Sequence, residues 1–111
     1  MVTTSLKGNF RFKAVYDGGH SAAGKYFVLF VLKNSFNLNR LGITVTKKIG
    51  CAVVRNRVRR VIKEGFRLCE HNFAQGFDIV ILARPAMVGT VLNDITPELT
   101  RLATKLQLGS V

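Results

Sequence analysis

Arg55, Arg57, Arg59, Arg60, Lys63 and Arg67 place six basic side chains within thirteen positions, with the amide of Asn56 among them. The chemistry open to such a set is the holding of anions. A guanidinium can fork two N–H groups onto one phosphate, and Asn56 can reach a phosphate, a sugar hydroxyl or a base. On a helical wheel Arg55, Arg59, Lys63, Asn56, Arg67 and Arg60 share roughly 140° of arc along a stripe about 18 Å long. Arg57 lies at its border, beside Glu64. Val54, Val58, Val61, Ile62, Gly65 and Cys69 fill the opposite side. A helix face that only meets water mixes its signs, because i,i+4 ion pairs stabilise it and like charges destabilise it by a few tenths of a kcal/mol each. Here Arg55, Arg59, Lys63 and Arg67 form a like-charged i,i+4 ladder. Phosphates that neutralise the ladder would account for it.

Three more bases stand upstream, at Arg40, Lys47 and Lys48. From Arg40 to Arg67 there are nine bases and one acid, Glu64. The glycine of "KKIG" either leaves backbone N–H groups near a phosphate at the helix start or simply allows a turn. One Asn among six bases suits contacts to backbone and shape more than reading of base edges. Structured RNA is recognised largely in that way.

Composition agrees. Seventeen Lys and Arg against six Asp and Glu give a formal charge of +11. Such self-repulsion points to a polyanionic partner: nucleic acid, an acidic membrane surface or an acidic protein, with nucleic acid first. The 111 residues suit one domain, and 48% hydrophobic content suffices for one core. Cys51 and Cys69 form no CxxC motif and no ligand spacing with His20 or His71, which argues against zinc. Two buried free thiols are expected, in a reducing cytoplasm. The N-terminus carries no apolar signal core, and the longest apolar run, "YFVLFVL", is too short to span a bilayer.

The elements that must position the basic stripe follow from periodicity. "NFRFKAVYDGG" sets Phe12, Val15 and Tyr16 on one face of a short helix that Gly18 and Gly19 stop. "KYFVLFVLK" reads as a strand with both faces largely covered, "NSFNLN" as a turn, and "LGITVTKK" as a half-buried strand with Ile43 and Val45 on one side. A helix spans about 52–71, and "FDIVILA" is a buried strand. In the last helix Thr96 is placed to cap, Pro97 suits the first position, Leu99, Leu102, Ala103 and Leu106 form the stripe, and Gly109 can end it. The strand–helix–strand unit over residues 42–83 predicts parallel pairing, which by the general rule crosses over right-handed.

The stretch "GITVTKKIGCAVVRNRVRRVIKEGFR" resembles the signature of the protein subunit of bacterial ribonuclease P. "RNR" at Arg55, Asn56 and Arg57, framed by "KKIG" and "FR", carries most of the likeness. "FRFKAVYDGGHSAAGKYFVLFVL" and "GFDIVILARPA" extend it over about residues 6–87. The resemblance implies a single α/β domain over residues 1–111, an α+β sandwich whose central mixed four-stranded sheet is packed by helices. Residues 1–5 are expected to be flexible. It also implies a left-handed βαβ crossover, against the general rule. The implied activity is removal of the 5′ leader of precursor tRNA by a catalytic RNA that the protein binds. The resemblance further implies that the protein itself contributes no catalytic residue and binds no metal or cofactor, with Mg²⁺ acting through the RNA subunit. The implied RNA-binding residues are Arg55, Asn56, Arg57, Arg59, Arg60, Lys63, Arg67, Lys47, Lys48 and Arg40. A cleft for the single-stranded leader is implied at Phe12, Tyr16 and Phe30. Phe30 stands where the family often has Tyr, so a hydroxyl contact is missing there and stacking remains. Cys51 stands where Asn is common. Asp17 and His20 occupy places often basic, which thins the positive surface near the first helix. The implied partners are the ribonuclease P RNA and precursor tRNA, in the bacterial cytoplasm, with neither membrane nor DNA.

Three rival readings face this one. A metal-dependent nuclease needs converging carboxylates, and the six acids make no DxD or DxxE pattern. A membrane-active helix is disfavoured because its apolar face is needed for the sheet. A small basic ribosomal-type RNA-binding protein fits composition equally well, and only the "RNR" frame separates the two.

Overall fold

Residues 77–83 form the middle strand of a five-stranded sheet. The computed structural model describes residues 3–6 and 8–106. In chain order the elements are β1 (Thr3–Ser5), α1 (Asn9–Gly18), β2 (His20–Ala23), β3 (Phe27–Lys33), β4 (Asn39–Thr44), α2 (Ala52–Cys69), β5 (Phe77–Ala83) and α3 (Leu92–Lys105). The strand order is β1-β4-β5-β3-β2. β3 and β5 pair antiparallel, β4 and β5 parallel, so the sheet is mixed and the expected parallel strand–helix–strand unit is present. Strands β2 to β5 are the expected four-stranded sheet. β1 pairs parallel with β4 and extends it by one short edge strand. Thr3–Ser5, expected to be loose, are thus held by β4; residues 1 and 2 lie outside the described residues.

The two sheet faces have different fates. On one face Phe27, Leu29 and Val31 of β3 and Ile79 and Ile81 of β5 are buried beneath α2 and α3, with Val58, Ile62, Phe66, Leu99 and Leu102 packed on them. Each such side chain contributes about 1.5–3 kcal/mol of transfer free energy. That demand fixes the orientation of α2. Its apolar positions recur every three or four residues, so its opposite side must face water. On the other sheet face α1 packs, through Val15, onto Val80 and Leu6. β3 was expected to be largely covered on both faces; its residues alternate buried and half-buried, the half-buried ones facing α1.

Two local readings are corrected. α3 begins at Leu92, one turn before Thr96, and Pro97 lies inside it. Asp94 Oδ2 accepts the Val91 N–H at 2.9 Å and starts the helix there. Buried Ile95 then anchors that first turn against α2, where a Cβ on Gly65 would lie 2.7 Å from Ile95 Cδ1. The expected stop at Gly109 lies outside the described residues; the observed helix ends at Lys105. α1 does stop at its glycines, but Gly19 has an extended backbone (φ −92°). Space explains it: a Cβ there would lie 2.3 Å from the Val31 carbonyl oxygen and 2.6 Å from that of Val15.

Candidate nucleic-acid interface

The outward side of α2 carries Asn56, Arg57, Arg59, Arg60 and Lys63, all exposed. None of these four cations pairs with a carboxylate among the described residues. Arg55 is half-buried, and its Nε is buried without a hydrogen-bond partner among the described residues. Lys47 and Lys48 are exposed on a 3-10 turn just before the helix. Gly50 follows them at φ +149°, so its place is explained by the turn.

Two of the expected cations have partners in the same chain. Arg67 is exposed but bonded to Glu64, with Nε to Oε2 at 3.1 Å and Nη2 to Oε1. The Arg67 guanidinium holds the Glu64 carboxyl below its ordinary value. An exposed pair of this kind is worth only about 0–1 kcal/mol, so a phosphate can compete for it. Arg40 differs more. It lies in β4 with its side chain largely buried and forked onto Asp78, Nε to Oδ1 at 2.7 Å and Nη2 to Oδ2 at 2.6 Å. It is a strut between two strands, and its guanidinium is already held by a carboxylate, unlike the cations on the outward side of α2.

Phe12, Tyr16 and Phe30 do come together. α1 crosses the sheet face opposite the main core, and all three are half-buried there around Val15 and Val80. The Tyr16 and Phe30 rings meet edge to face with centroids 4.8 Å apart. The Tyr16 hydroxyl shares a 2.8 Å hydrogen bond with Thr44 Oγ1. Phe12 lies over Gly42, where a Cβ would fall 2.4 Å from its Cζ. Thr44, Leu82 and Val28 stand in register across β4, β5 and β3 and are also half-buried. The result is an aromatic trough with an open apolar floor, suited to stacking planar groups. Gly42 and Thr44 escaped the reading of the sequence. Gly42 is in register with Phe30 through Val80, and Thr44 is bonded to Tyr16; both relationships need the sheet to be known.

Five of the six carboxylates are engaged elsewhere. Asp78 holds Arg40, Glu64 holds Arg67, and Asp17 meets Lys13. Glu98 is buried and accepts the backbone N–H groups of Lys25 and Tyr26 at 2.8 and 2.9 Å. Asp94 starts α3. Among the described residues no three His, Cys, Asp or Glu side chains gather into a cation site.

Both cysteines are free. Cys69 is buried as expected, but Cys51 is exposed at the start of α2, correcting the expectation for that thiol. The backbone N–H groups of Val54 and Val53, with Arg55 nearby, hold the Cys51 thiol below its ordinary value.

With this geometry in place, the comparisons with known proteins are decisive. The family model described as Ribonuclease P matches residues 2–107. The chain belongs to the ribonuclease P protein family. A ribonuclease P protein component from Natranaerobius thermophilus is 51% identical over 80 residues, covering 72% of this chain and 70% of that protein. One from Lachnoclostridium phytofermentans is 44% identical over 102 residues, covering 92% and 88%. The solved RNase P protein of Staphylococcus aureus superposes with a TM-score of 0.84 at 31% identity, covering 96% of this chain and 97% of that one. Family membership makes the chain a protein subunit of a ribonucleoprotein endoribonuclease of tRNA processing. These matches give no support to a ribosomal-type protein. Among the described residues, no helix is long and apolar enough to cross a membrane.

Proposed function

We propose that this chain binds the catalytic RNA subunit of bacterial ribonuclease P through α2 and the Lys47–Lys48 turn, and receives the 5′ leader of precursor tRNA in the trough of Phe12, Tyr16 and Phe30. The observation that carries this reading is the exposure of Arg57, Arg59, Arg60 and Lys63 on one helix with no carboxylate partner among the described residues. Four such cations on a rigid element match a phosphate backbone, and they bind it by releasing counterions. Arg55 and Asn56 add hydrogen-bond donors at the helix start, and Arg67 joins them when phosphate displaces Glu64. The trough offers ring edges and an apolar floor to unpaired bases, which suits a single strand better than a duplex.

In this reading the protein holds and the RNA cuts. Mg²⁺ acts at the RNA subunit, and the side chains of this chain position the leader and screen phosphate repulsion. The complex works in the bacterial cytoplasm. Reconstitution with a bacterial ribonuclease P RNA at low Mg²⁺ is the test. The chain restores 5′ cleavage of precursor tRNA under conditions where the RNA alone is slow. Cleavage by the protein and Mg²⁺ without the RNA subunit, or no stimulation of the RNA, overturns the reading.

A further inference from the structure

α1 divides its sheet face in two. The row Gly42–Val80–Phe30 runs beneath it. Thr44, Leu82 and Val28 lie in the row on one side, with the aromatic trough. Arg40, Asp78 and Leu32 lie in the row on the other. Around the helix, Arg11 and Ala14 are set between roughly 100° and 160° from Phe12, so they flank that second side. A cavity of about 670 Å³ opens there, bounded by Arg11, Leu32, Lys33, Asn34, Phe36 and Arg40 among others. It is separate from both the α2 surface and the aromatic trough.

Its construction is specific. Phe36 sits in the loop between β3 and β4 and remains 49% exposed, an unusual place for a large ring. The loop is nevertheless tied down. Asn34 Oδ1 accepts the Phe36 N–H at 2.9 Å, while Asn34 Nδ2 donates to Asp78 Oδ1 at 2.9 Å. The Arg40 guanidinium, fixed by Asp78, lies 4.8 Å from the Phe36 ring centroid and braces it. Asp78 is thereby matched by Arg40. Arg11 and Lys33 are exposed on the same cavity and pair with no carboxylate among the described residues. Three cations against one acid exclude a divalent cation as the preferred occupant. A braced, open aromatic ring beside two free cations, over the apolar floor of Leu32 and Ala14, presents the two features that recognise a nucleotide: a π-face for the base and positive charge for the phosphate.

We propose that this cavity takes one nucleotide unit of single-stranded RNA, its base against Phe36 and its phosphate at Arg11 and Lys33. The strand thereby gains a second contact point across α1 from the aromatic trough. The proposal goes beyond the reading of α2 and does not depend on it, and its test uses neither the RNA subunit nor tRNA.

The full chain, labelled with ¹⁵N, is titrated with adenosine monophosphate and followed by NMR. The amides of Ala14, Asn34, Ser35 and Phe36 shift together. Phe36→Ala weakens the binding by roughly fivefold or more, the loss of one base–aromatic stack, while Phe36→Tyr retains it. Arg11→Ala weakens adenosine monophosphate but leaves adenosine, which has no phosphate, unchanged. Phe36 is exposed, so its Ala variant keeps the wild-type spectrum elsewhere and reports binding and not unfolding. Shifts confined to α2 and to Phe12, Tyr16 and Phe30, or equal affinity for wild type and Phe36→Ala, overturn the proposal. Loss of RNA-subunit binding by α2 variants leaves this titration unchanged, so the two readings fail separately.

Discussion

Arg40 and Asp78 face each other in register across the parallel β4–β5 pair, and two short hydrogen bonds join the guanidinium to both carboxylate oxygens. Asn34 adds a third bond to the same carboxylate. One buried ion pair therefore links two strands and the loop that precedes β4. It also makes the acid and the base interdependent. Removing either leaves the other charge buried without its partner.

Asp78→Ala is accordingly expected to lower unfolding stability by about 3–5 kcal/mol, the usual cost of breaking a buried pair. Urea denaturation at neutral pH measures it. Burial pushes the Asp78 carboxyl up, but the bonds from Arg40 and Asn34 outweigh burial and hold it below its ordinary 3.8. A carboxyl depressed in the folded state gives stability that is fully present above the unfolded value and lost as pH falls through the folded one. Wild-type stability should therefore drop as pH falls below 3.8, and Asp78→Asn should flatten that drop. A wild-type and an Asn variant with parallel acid profiles would disprove the assignment.

The contrast between Arg40 and the α2 cations shows what a sequence can and cannot disclose. The period of Val54, Val58, Ile62 and Cys69 fixed which side of α2 is buried, because helical geometry is local. The exposure of Arg57, Arg59, Arg60 and Lys63 followed from it. The Arg67–Glu64 pair was also readable, since residues three apart on a helix are neighbours. Arg40 and Asp78 are 38 residues apart and meet only through strand register. β1 and β2 were unread for another reason: three and four residues, with "HSAA" in β2, carry no alternation to detect. The trough was half legible. The spacing of Phe12 and Tyr16 put them on one face, but Thr44 and Gly42 needed the sheet.

Salt dependence separates the two kinds of cation. Arg59→Ala with Lys63→Ala removes two exposed charges that make no contact within the described chain. The double variant should keep wild-type stability within about 0.5 kcal/mol, as surface substitutions do. Its RNA-subunit affinity should fall, and the slope of log K against log salt should flatten by roughly 1.4–1.8, at 0.7–0.9 per phosphate contact. An unchanged slope would remove α2 as the contact surface.

The trough makes a different prediction. Phe12→Ala and Tyr16→Ala remove ring surface that an unpaired leader would stack on, each worth about 1–3 kcal/mol per base. Binding of leader-bearing precursor tRNA to the reconstituted enzyme should weaken tenfold or more, at about 1.4 kcal/mol per factor of ten. Mature tRNA should be little affected. Because both ligands are measured with the same variant, a general loss of folding would lower both together. Equal losses would therefore count against the leader assignment. Tyr16→Phe keeps the ring and deletes only the bond to Thr44, so it should cost about 1 kcal/mol of stability and leave leader discrimination largely intact.

Three glycines test how rigid each contact is. An added Cβ at Gly19 would strike two backbone carbonyl oxygens, at 2.3 and 2.6 Å, in strand β3 and helix α1. Neither carbonyl can move without disturbing its element, so Gly19→Ala should cost about 3 kcal/mol, at the upper end for overpacking. At Gly65 the nearest atom is the δ-methyl of Ile95, at 2.7 Å. That methyl can rotate, so Gly65→Ala should cost about 1 kcal/mol, with helix propensity offsetting part of the strain. Gly42→Ala falls between them in stability but stands apart in function. Its Cβ would displace the Phe12 ring, whose Cζ lies 2.4 Å away. Leader discrimination should therefore fall in Gly42→Ala as it does in Phe12→Ala, although Gly42 itself offers a strand nothing to bind. Thermal melts rank the three variants, and paired precursor and mature tRNA affinities isolate the third. Gly42→Ala with intact discrimination would mean that Phe12 serves packing alone.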